Sequence, residues 1–180
     1  MIRVWDVLVR SLHGLLAAGV LIAWCSGHWL SRWFEEVHHT AGYLAAAVVA
    51  VRIVWGFAGT PYARFRQFVR SPREAWSYAR QLGAGTAPRY IGHNPLGGWM
   101  VLALLATVAC TSLSGFLYVT EWLWGYAWLS ALHAALAWLV LCLVLGHIGG
   151  VVFTSIRHRE NLVAAMFGGR KRAAAPDDQT

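Results

Sequence analysis

The sequence predicts an all-α membrane protein, a four-transmembrane-helix bundle, from its composition and from four long apolar stretches. The 180 residues are 58% hydrophobic and 13% charged and include 11 tryptophans, whereas soluble domains carry about 25% charged residues. Each stretch holds at most one charged residue and exceeds the roughly 20 residues that a helix needs to span a bilayer. The stretches are residues 11–31, 37–63, 90–120 and 122–156. The short alternating strands of a barrel do not fit them.

The four helices and their connections are expected to form a single transmembrane domain over residues 1–168. Helix-start and interface signals set the expected bounds of the helices within it. We place the helices at residues 7–30, 37–58, 94–119 and 129–154. The remaining segment, residues 169–180, is basic and then contains alanine and aspartate. It predicts a disordered cytoplasmic tail.

The loop between the second and third helices has a helix of its own. Ser71, Pro72 and Glu74 supply an N-cap, a first-position proline and a capping-box acid. These residues predict a short amphipathic helix over residues 72–82. Aromatic side chains beside arginines in this loop suit the headgroup zone, so we expect contact with membrane lipid.

The placement of basic residues predicts the orientation in the membrane. Of the 15 Lys and Arg residues, all but Arg32 and Arg52 lie near the start of the first helix, between the second and third, or after the fourth. The positive-inside rule then puts both termini and the middle loop in the cytoplasm, with the chain a multi-pass membrane protein. The net charge of +7 follows from this topology and does not indicate a nucleic-acid partner.

Histidines within the apolar stretches are the candidate functional residues, because a polar ring in hydrocarbon is costly and commonly marks a site. His133 and His147 lie 14 residues apart on the fourth helix. At 100° and 1.5 Å per residue they share a face within about 40° and are about 21 Å apart along the axis. One metal ion cannot use both, whereas two separate cofactors can.

Each of these two levels has a histidine from another helix. His13 lies near the inner face, level with His147, and His38 and His39 lie near the outer face, level with His133. Two imidazoles from different helices match the axial ligation of haem iron, whereas zinc needs three or four protein ligands. The pattern predicts two b-type haems between the helices. Because adjacent residues differ by about 100°, at most one of His38 and His39 faces the iron.

Other polar residues near these levels are candidates for supporting roles. Arg52 lies on much the same face as His38 and at the depth of the inner haem, where it either pairs with a haem propionate or snorkels to the surface. His28, at the outer interface, either hydrogen-bonds a propionate or is solvated. Glycines near the histidines suit close approach of a flat porphyrin as well as ordinary helix packing. They are Gly14, Gly19, Gly42, Gly146, Gly149 and Gly150.

The same residues occur in a set of motifs that resembles a known family. The motifs are R-S-L-H at 10–13, H-H-T-A-G at 38–42, R-I-V-W-G-F at 52–57, I-G-H-N-P at 91–95, L-H at 132–133 and G-H at 146–147. From about residue 4 to 172 the chain resembles the bacterial di-haem cytochrome b561 family, which includes the cytochrome b subunits of membrane-bound nickel–iron hydrogenases. In that family the ligand stands four residues before the glycine of the second motif, which selects His38.

The resemblance implies transmembrane electron transfer through two non-covalent b haems within a respiratory chain. The axial ligands would be His13 and His147 for the inner haem and His38 and His133 for the outer one. Electrons would pass between the quinone pool and a redox partner protein at the membrane surface. A quinone site would adjoin one haem, with its carbonyl oxygens bound by polar residues. The candidates for this site are His93, Asn94 and Arg52.

The sequence leaves alternatives for the function, the enzymatic role and the assembly. The same histidines predict, as an alternative, a histidine-relay transporter of metal ions or protons without haem, although no Asp or Glu accompanies them in the uncharged windows. Whether the chain is itself a quinone oxidoreductase or a subunit of one depends on the quinone site. A homodimer and membership of a larger complex are both compatible with the sequence.

Overall fold

The computed structural model describes residues 1–29 and 34–179 and is mainly helical. The helices are α1 (Val7–His28), α2 (Glu35–Ala58), α3 (Phe65–Phe68), α4 (Pro72–Gly83), α5 (Pro95–Tyr118), α6 (Ala127–Arg157) and α7 (Leu162–Gly168). Among these described residues, α1, α2, α5 and α6 are long and apolar enough to cross a membrane, which confirms the predicted helical membrane fold. Leu30, at the expected end of the first helix, and Arg32 in the loop after it lie outside the described residues.

The chain divides into two compact units, and the four long helices contribute to both. The first unit consists of Met1–Arg10, Val54–Ala103 and Leu145–Thr180. The second unit consists of Ser11–Ile53 and Leu104–Val144. The first therefore holds the segments for which the positive charge predicts a cytoplasmic location, and the second holds most of α1 and α2, the end of α5 and the start of α6.

Polar caps and a small apolar core organise the first unit. Asp6 Oδ1 accepts the backbone N–H of Val9 at 2.8 Å at the start of α1, while Oδ2 accepts the Trp55 indole N–H at 3.1 Å. The start of α4 carries the expected cap, since the Ser71 hydroxyl accepts the Glu74 N–H at 3.3 Å. A buried cluster lies beside Asp6 and is formed by Val4, Trp5, Val9, Ala63 and Ile91.

The C-terminal tail, for which composition predicts disorder, has defined partners in the structure. Strands β1 (Ile2–Arg3) and β2 (Arg170–Lys171) pair antiparallel, with Ile2 opposite Lys171. The buried guanidinium of Arg89 forms ion pairs with Glu160 and Asp178. A buried cation is stable when carboxylates surround it, and the tail supplies one of them. Such long-range pairing is not visible in local composition.

The ion pairs of Arg89 are expected to contribute measurably to stability. Burial alone would raise the pKa of Glu160, but hydrogen bonds and the positive charge of Arg89 outweigh it and lower the pKa. Replacing Arg89 with Ala leaves the Glu160 carboxylate, 9% exposed, without this partner. We expect a loss of about 2 kcal/mol, less than for a fully buried pair, measured as a lower thermal unfolding midpoint in detergent.

The pH dependence and a matched variant test this expectation. A carboxyl group with a depressed folded-state pKa contributes stability above its unfolded pKa of about 4.3 and loses it as the pH falls through the folded value. The difference between wild type and Arg89→Ala should therefore be full at pH 7 and shrink in acid. Arg73→Ala, on the exposed side of α4, is the control. Equal unfolding midpoints for the two variants at pH 7 would contradict a stabilising role for the ion pairs of Arg89.

Candidate haem site

Two imidazole rings face one another in the second unit. His38 lies near the start of α2 and His133 near the start of α6, and their ring centroids are 6.0 Å apart with planes inclined at 77°. Two imidazoles that bind one metal through bonds of about 2 Å place their ring centres roughly 6 Å apart. The separation in the structure therefore suits a pair of ligands that share one metal.

The His38 ring is held by the last turns of α1. Its Nδ1 lies 2.9 Å from the carbonyl oxygen of Ala23 and 3.4 Å from the hydroxyl oxygen of Ser26. The Ser26 hydroxyl donates to the carbonyl of Ile22 at 2.7 Å within its own helix. Its oxygen therefore presents a lone pair to the ring.

The His133 ring is held in the same way by α5. Its Nδ1 lies 3.0 Å from the carbonyl oxygen of Thr111 and 3.0 Å from the hydroxyl oxygen of Ser114. The Ser114 hydroxyl donates to the carbonyl of Thr111 at 2.8 Å, so it too acts as an acceptor toward the ring.

These contacts fix the protonation of both rings. A carbonyl oxygen and an occupied hydroxyl can only accept, so each Nδ1 must carry the hydrogen and donate it. The Nε2 atom of a neutral ring then bears the lone pair that binds a metal, and the acceptor on the other nitrogen orients the ring. Each ring therefore has a free lone pair on Nε2, as an imidazole needs in order to bind haem iron as an axial ligand.

Comparison with known proteins decides the family. The model of the prokaryotic cytochrome b561 family matches residues 4–169. The chain belongs to this family. It is therefore a bacterial membrane protein that transfers electrons and binds b-type haem, as members of the family do. This assignment favours electron transfer over the alternative of a metal-ion or proton transporter.

Individual relatives are distant in sequence but are matched over most of their length. Proteins named "Probable Ni/Fe-hydrogenase B-type cytochrome subunit" are similar to this chain. The one from Azotobacter vinelandii is 24% identical over 93% of this chain and 87% of its own length. The one from Rhizobium leguminosarum bv. viciae is 25% identical over 81% and 72%. No solved structure matches the chain.

The donor set fits the haem that the cytochrome b561 family implies. Among the described residues, no group of three or more His, Cys, Asp or Glu side chains is arranged to hold a metal ion, and His38 and His133 form a pair. A Cβ built on Gly42, one turn after His38 on the same face, would meet nothing within 4 Å other than the adjacent residues and backbone of its own helix. Open space beside a ligand is what a flat macrocycle needs.

The second unit also holds the predicted residues His39, His28, Arg52 and His13. The His39 ring centroid is 6.1 Å from that of His38. His28 is exposed and stacks on Trp24, with ring centroids 3.9 Å apart and planes inclined at 18°. Arg52 is buried, with 8% of its surface exposed. His13 lies on α1 in this unit, whereas His147 lies on α6 in the first unit.

The residues predicted to bind quinone lie in the first unit. The His93 ring contacts the rings of Trp5 and Phe68, each at a centroid distance of 4.7 Å. Asn94 Oδ1 accepts the backbone N–H of Gly97 at 2.7 Å and so caps the start of α5. Each residue thus has a structural role in this unit beside the proposed binding role.

Sequence analysis missed the residues that hold the two facing rings. These are Ser26 and Gly27 on α1 and Ser114 and Gly115 on α5. A repeated Ser-Gly pair in two apolar helices is the signal that could have revealed them. Small residues are common in membrane helices, however, so the Ser-Gly pairs become informative only when the structure shows them against the histidine rings.

Proposed function

We propose that the chain carries electrons across the bacterial inner membrane through two b-type haems, with both termini in the cytoplasm. His38 and His133 would bind the outer haem, and His13 and His147 the inner one. The observation that carries the proposal is the His38–His133 pair, with each Nδ1 within hydrogen-bond distance of a carbonyl oxygen. Haem supplies an iron that alternates between ferric and ferrous states.

The inner pair is supported by helix geometry and by the family motifs. α6 runs without interruption from Ala127 to Arg157, so His147 follows His133 on nearly the same face about 21 Å along the axis. His13 stands in the R-S-L-H segment at the opposite end of α1 from Ser26. We include buried Arg52 as the partner of an inner-haem propionate, because it follows His38 by 14 residues, on much the same face of α2 and at the expected depth of the inner haem.

In this function the protein would bind the haems, orient their histidine ligands and exclude water. Each pair of imidazoles would hold one haem, which would supply one-electron chemistry. The acceptors on Nδ1 hold the outer rings in place, and the apolar helices exclude water from the site. A rigid ligand set of this kind suits electron transfer rather than substrate binding at the iron.

The relatives suggest the partners of this electron transfer. Because these relatives are named as subunits of nickel–iron hydrogenases, we propose that the chain exchanges electrons between a hydrogenase-like protein at the membrane surface and the quinone pool. The chain would then act as a subunit of a larger complex, with a homodimer of the cytochrome as the alternative assembly. We place the quinone near the start of α5, where His93 and Asn94 supply polar groups.

Anaerobic addition of a short-chain quinol to the purified protein tests the quinone role. We expect the haem α band to appear within the mixing time of a stopped-flow instrument, because the quinol site adjoins one haem. Dithionite gives the full extent of reduction as the reference. A protein that dithionite reduces completely and quinol leaves oxidised would contradict the quinone role while leaving the haem assignment intact.

A further inference from the structure

The two outer ligands are held by the same three-part arrangement on two different helices. Each Nδ1 faces the carbonyl of one residue, the hydroxyl of the serine three positions later, and the glycine that follows the serine. On α1 the members are Ala23, Ser26 and Gly27. On α5 they are Thr111, Ser114 and Gly115. In each case the holding helix directly precedes, in chain order, the helix that bears the ligand.

The glycines let the rings approach the holding helices. A Cβ built on Gly27 would lie 3.0 Å from Cε1 of His38, and one built on Gly115 would lie 3.0 Å from Cε1 of His133. Both distances are shorter than ordinary carbon–carbon contacts of about 3.5–4.0 Å. Any side chain at these positions would move the ring away from its carbonyl acceptor.

The serines are buried and are oriented as acceptors. Ser26 is 6% exposed and Ser114 is 4% exposed, so water does not compete for their hydroxyl oxygens. Both hydroxyl hydrogens are used within their own helices, at 2.7 Å and 2.8 Å. The Ser114 oxygen is nearer its ring, at 3.0 Å, than the Ser26 oxygen, at 3.4 Å, and should therefore have the larger effect.

We propose that the pairs Ser26–Gly27 and Ser114–Gly115 are a repeated histidine holder that sets the reduction potential of the outer haem. The serine and carbonyl oxygens draw the Nδ1 hydrogen outward and so increase electron density at Nε2. A more strongly donating ligand stabilises ferric over ferrous iron and lowers the potential. The serines are positioning residues, since they act through the ligand. The inference rests on the proposed outer haem.

Potentiometric titration of the purified haem protein carrying Ser114→Ala tests the holder. The Thr111 carbonyl still binds the ring, so the variant should retain its haem. We expect the ratio of reduced to oxidised outer haem at a fixed potential to rise about threefold, which is about 30 mV at 59 mV per tenfold change. The inner haem should keep its potential, and Ser26→Ala should shift the outer haem less.

Matched variants separate this role from a general structural one. Ser112→Ala, two residues away on α5, should leave both potentials unchanged, and Ser114→Thr, which keeps the hydroxyl, should restore the wild-type value. Gly115→Ala should alter the ferric spectrum of the outer haem, whereas Gly168→Ala at the end of α7 should not. An unshifted potential in a Ser114→Ala protein with full haem content would overturn the inference.

Failure of the holder and failure of the haem proposal give different results. A wild-type preparation without haem would remove the proposed function itself, whereas normal haem content with no response to the serine changes removes the holder alone. If Ser114→Ala loses its haem, Ser26→Ala provides the same measurement on the other ring. A raised potential there supports the holder, and an unchanged one overturns it.

Discussion

Replacing His133 with alanine is expected to lower the haem content from about two to about one per chain. The remaining outer ligand, His38, would hold iron from one side and from one helix only. Its ring is fixed toward α1 by the Ala23 carbonyl and cannot turn to compensate. His38→Ala should also leave about one haem per chain, because His133 would then be the single remaining ligand of the outer haem. Pyridine haemochrome analysis of the purified proteins measures both.

Two further measurements distinguish ligand loss from misfolding. Free imidazole added to His133→Ala should restore part of the missing haem, since the truncated side chain leaves a space of about its size. His39→Ala, at the adjacent position on α2, should keep both haems. A His39 variant that loses one haem while His38→Ala keeps both would show that the wrong ring was assigned.

Replacing His147 with alanine should remove the other haem and interrupt transfer between the membrane faces. His147→Ala and His13→Ala are each expected to retain about one haem, which is the outer one, because the Ser114 and Thr111 contacts of His133 are untouched. The double variant His133→Ala/His147→Ala should contain no haem. Redox titration should show one component in each single variant, and the component should differ between His133→Ala and His147→Ala.

The matched control for these variants is His158→Ala, just after α6. His158 lies outside the proposed ligand set and so should not affect haem binding. Its pKa is lowered, mainly by burial of the imidazole. Two haems are expected in that variant. Loss of the same spectral component from His133→Ala and His147→Ala would contradict two separate haems.

The helices and the proximity of His38 to His133 follow from patterns that the sequence displays directly. A transmembrane helix must be long and apolar, so the uncharged windows predict α1, α2, α5 and α6. Histidine spacing along a helix fixes depth, which is why His38 and His133 could be matched before the structure was known. Rotation about the helix axis is less constrained, and the resemblance to the family was needed to prefer His38 to His39.

The supporting contacts depend on information that a single helix does not contain. Ser114 and Gly115 face His133 because α5 and α6 pack in one particular rotation, and no local pattern encodes that rotation. The ion pair between Arg89 and Asp178 joins residues 89 positions apart, beyond the reach of compositional reasoning about the tail. The aromatic contacts of His93 with Trp5 and Phe68 likewise come from distant segments.

The spin state of ferric iron in the purified wild-type protein tests paired imidazole ligation most directly. Low-temperature electron paramagnetic resonance should show low-spin haem accounting for about two irons per chain, because two nitrogen ligands create a strong axial field. A high-spin signal equal to half or more of the haem, or a folded preparation without haem, would contradict ligation by facing histidine pairs.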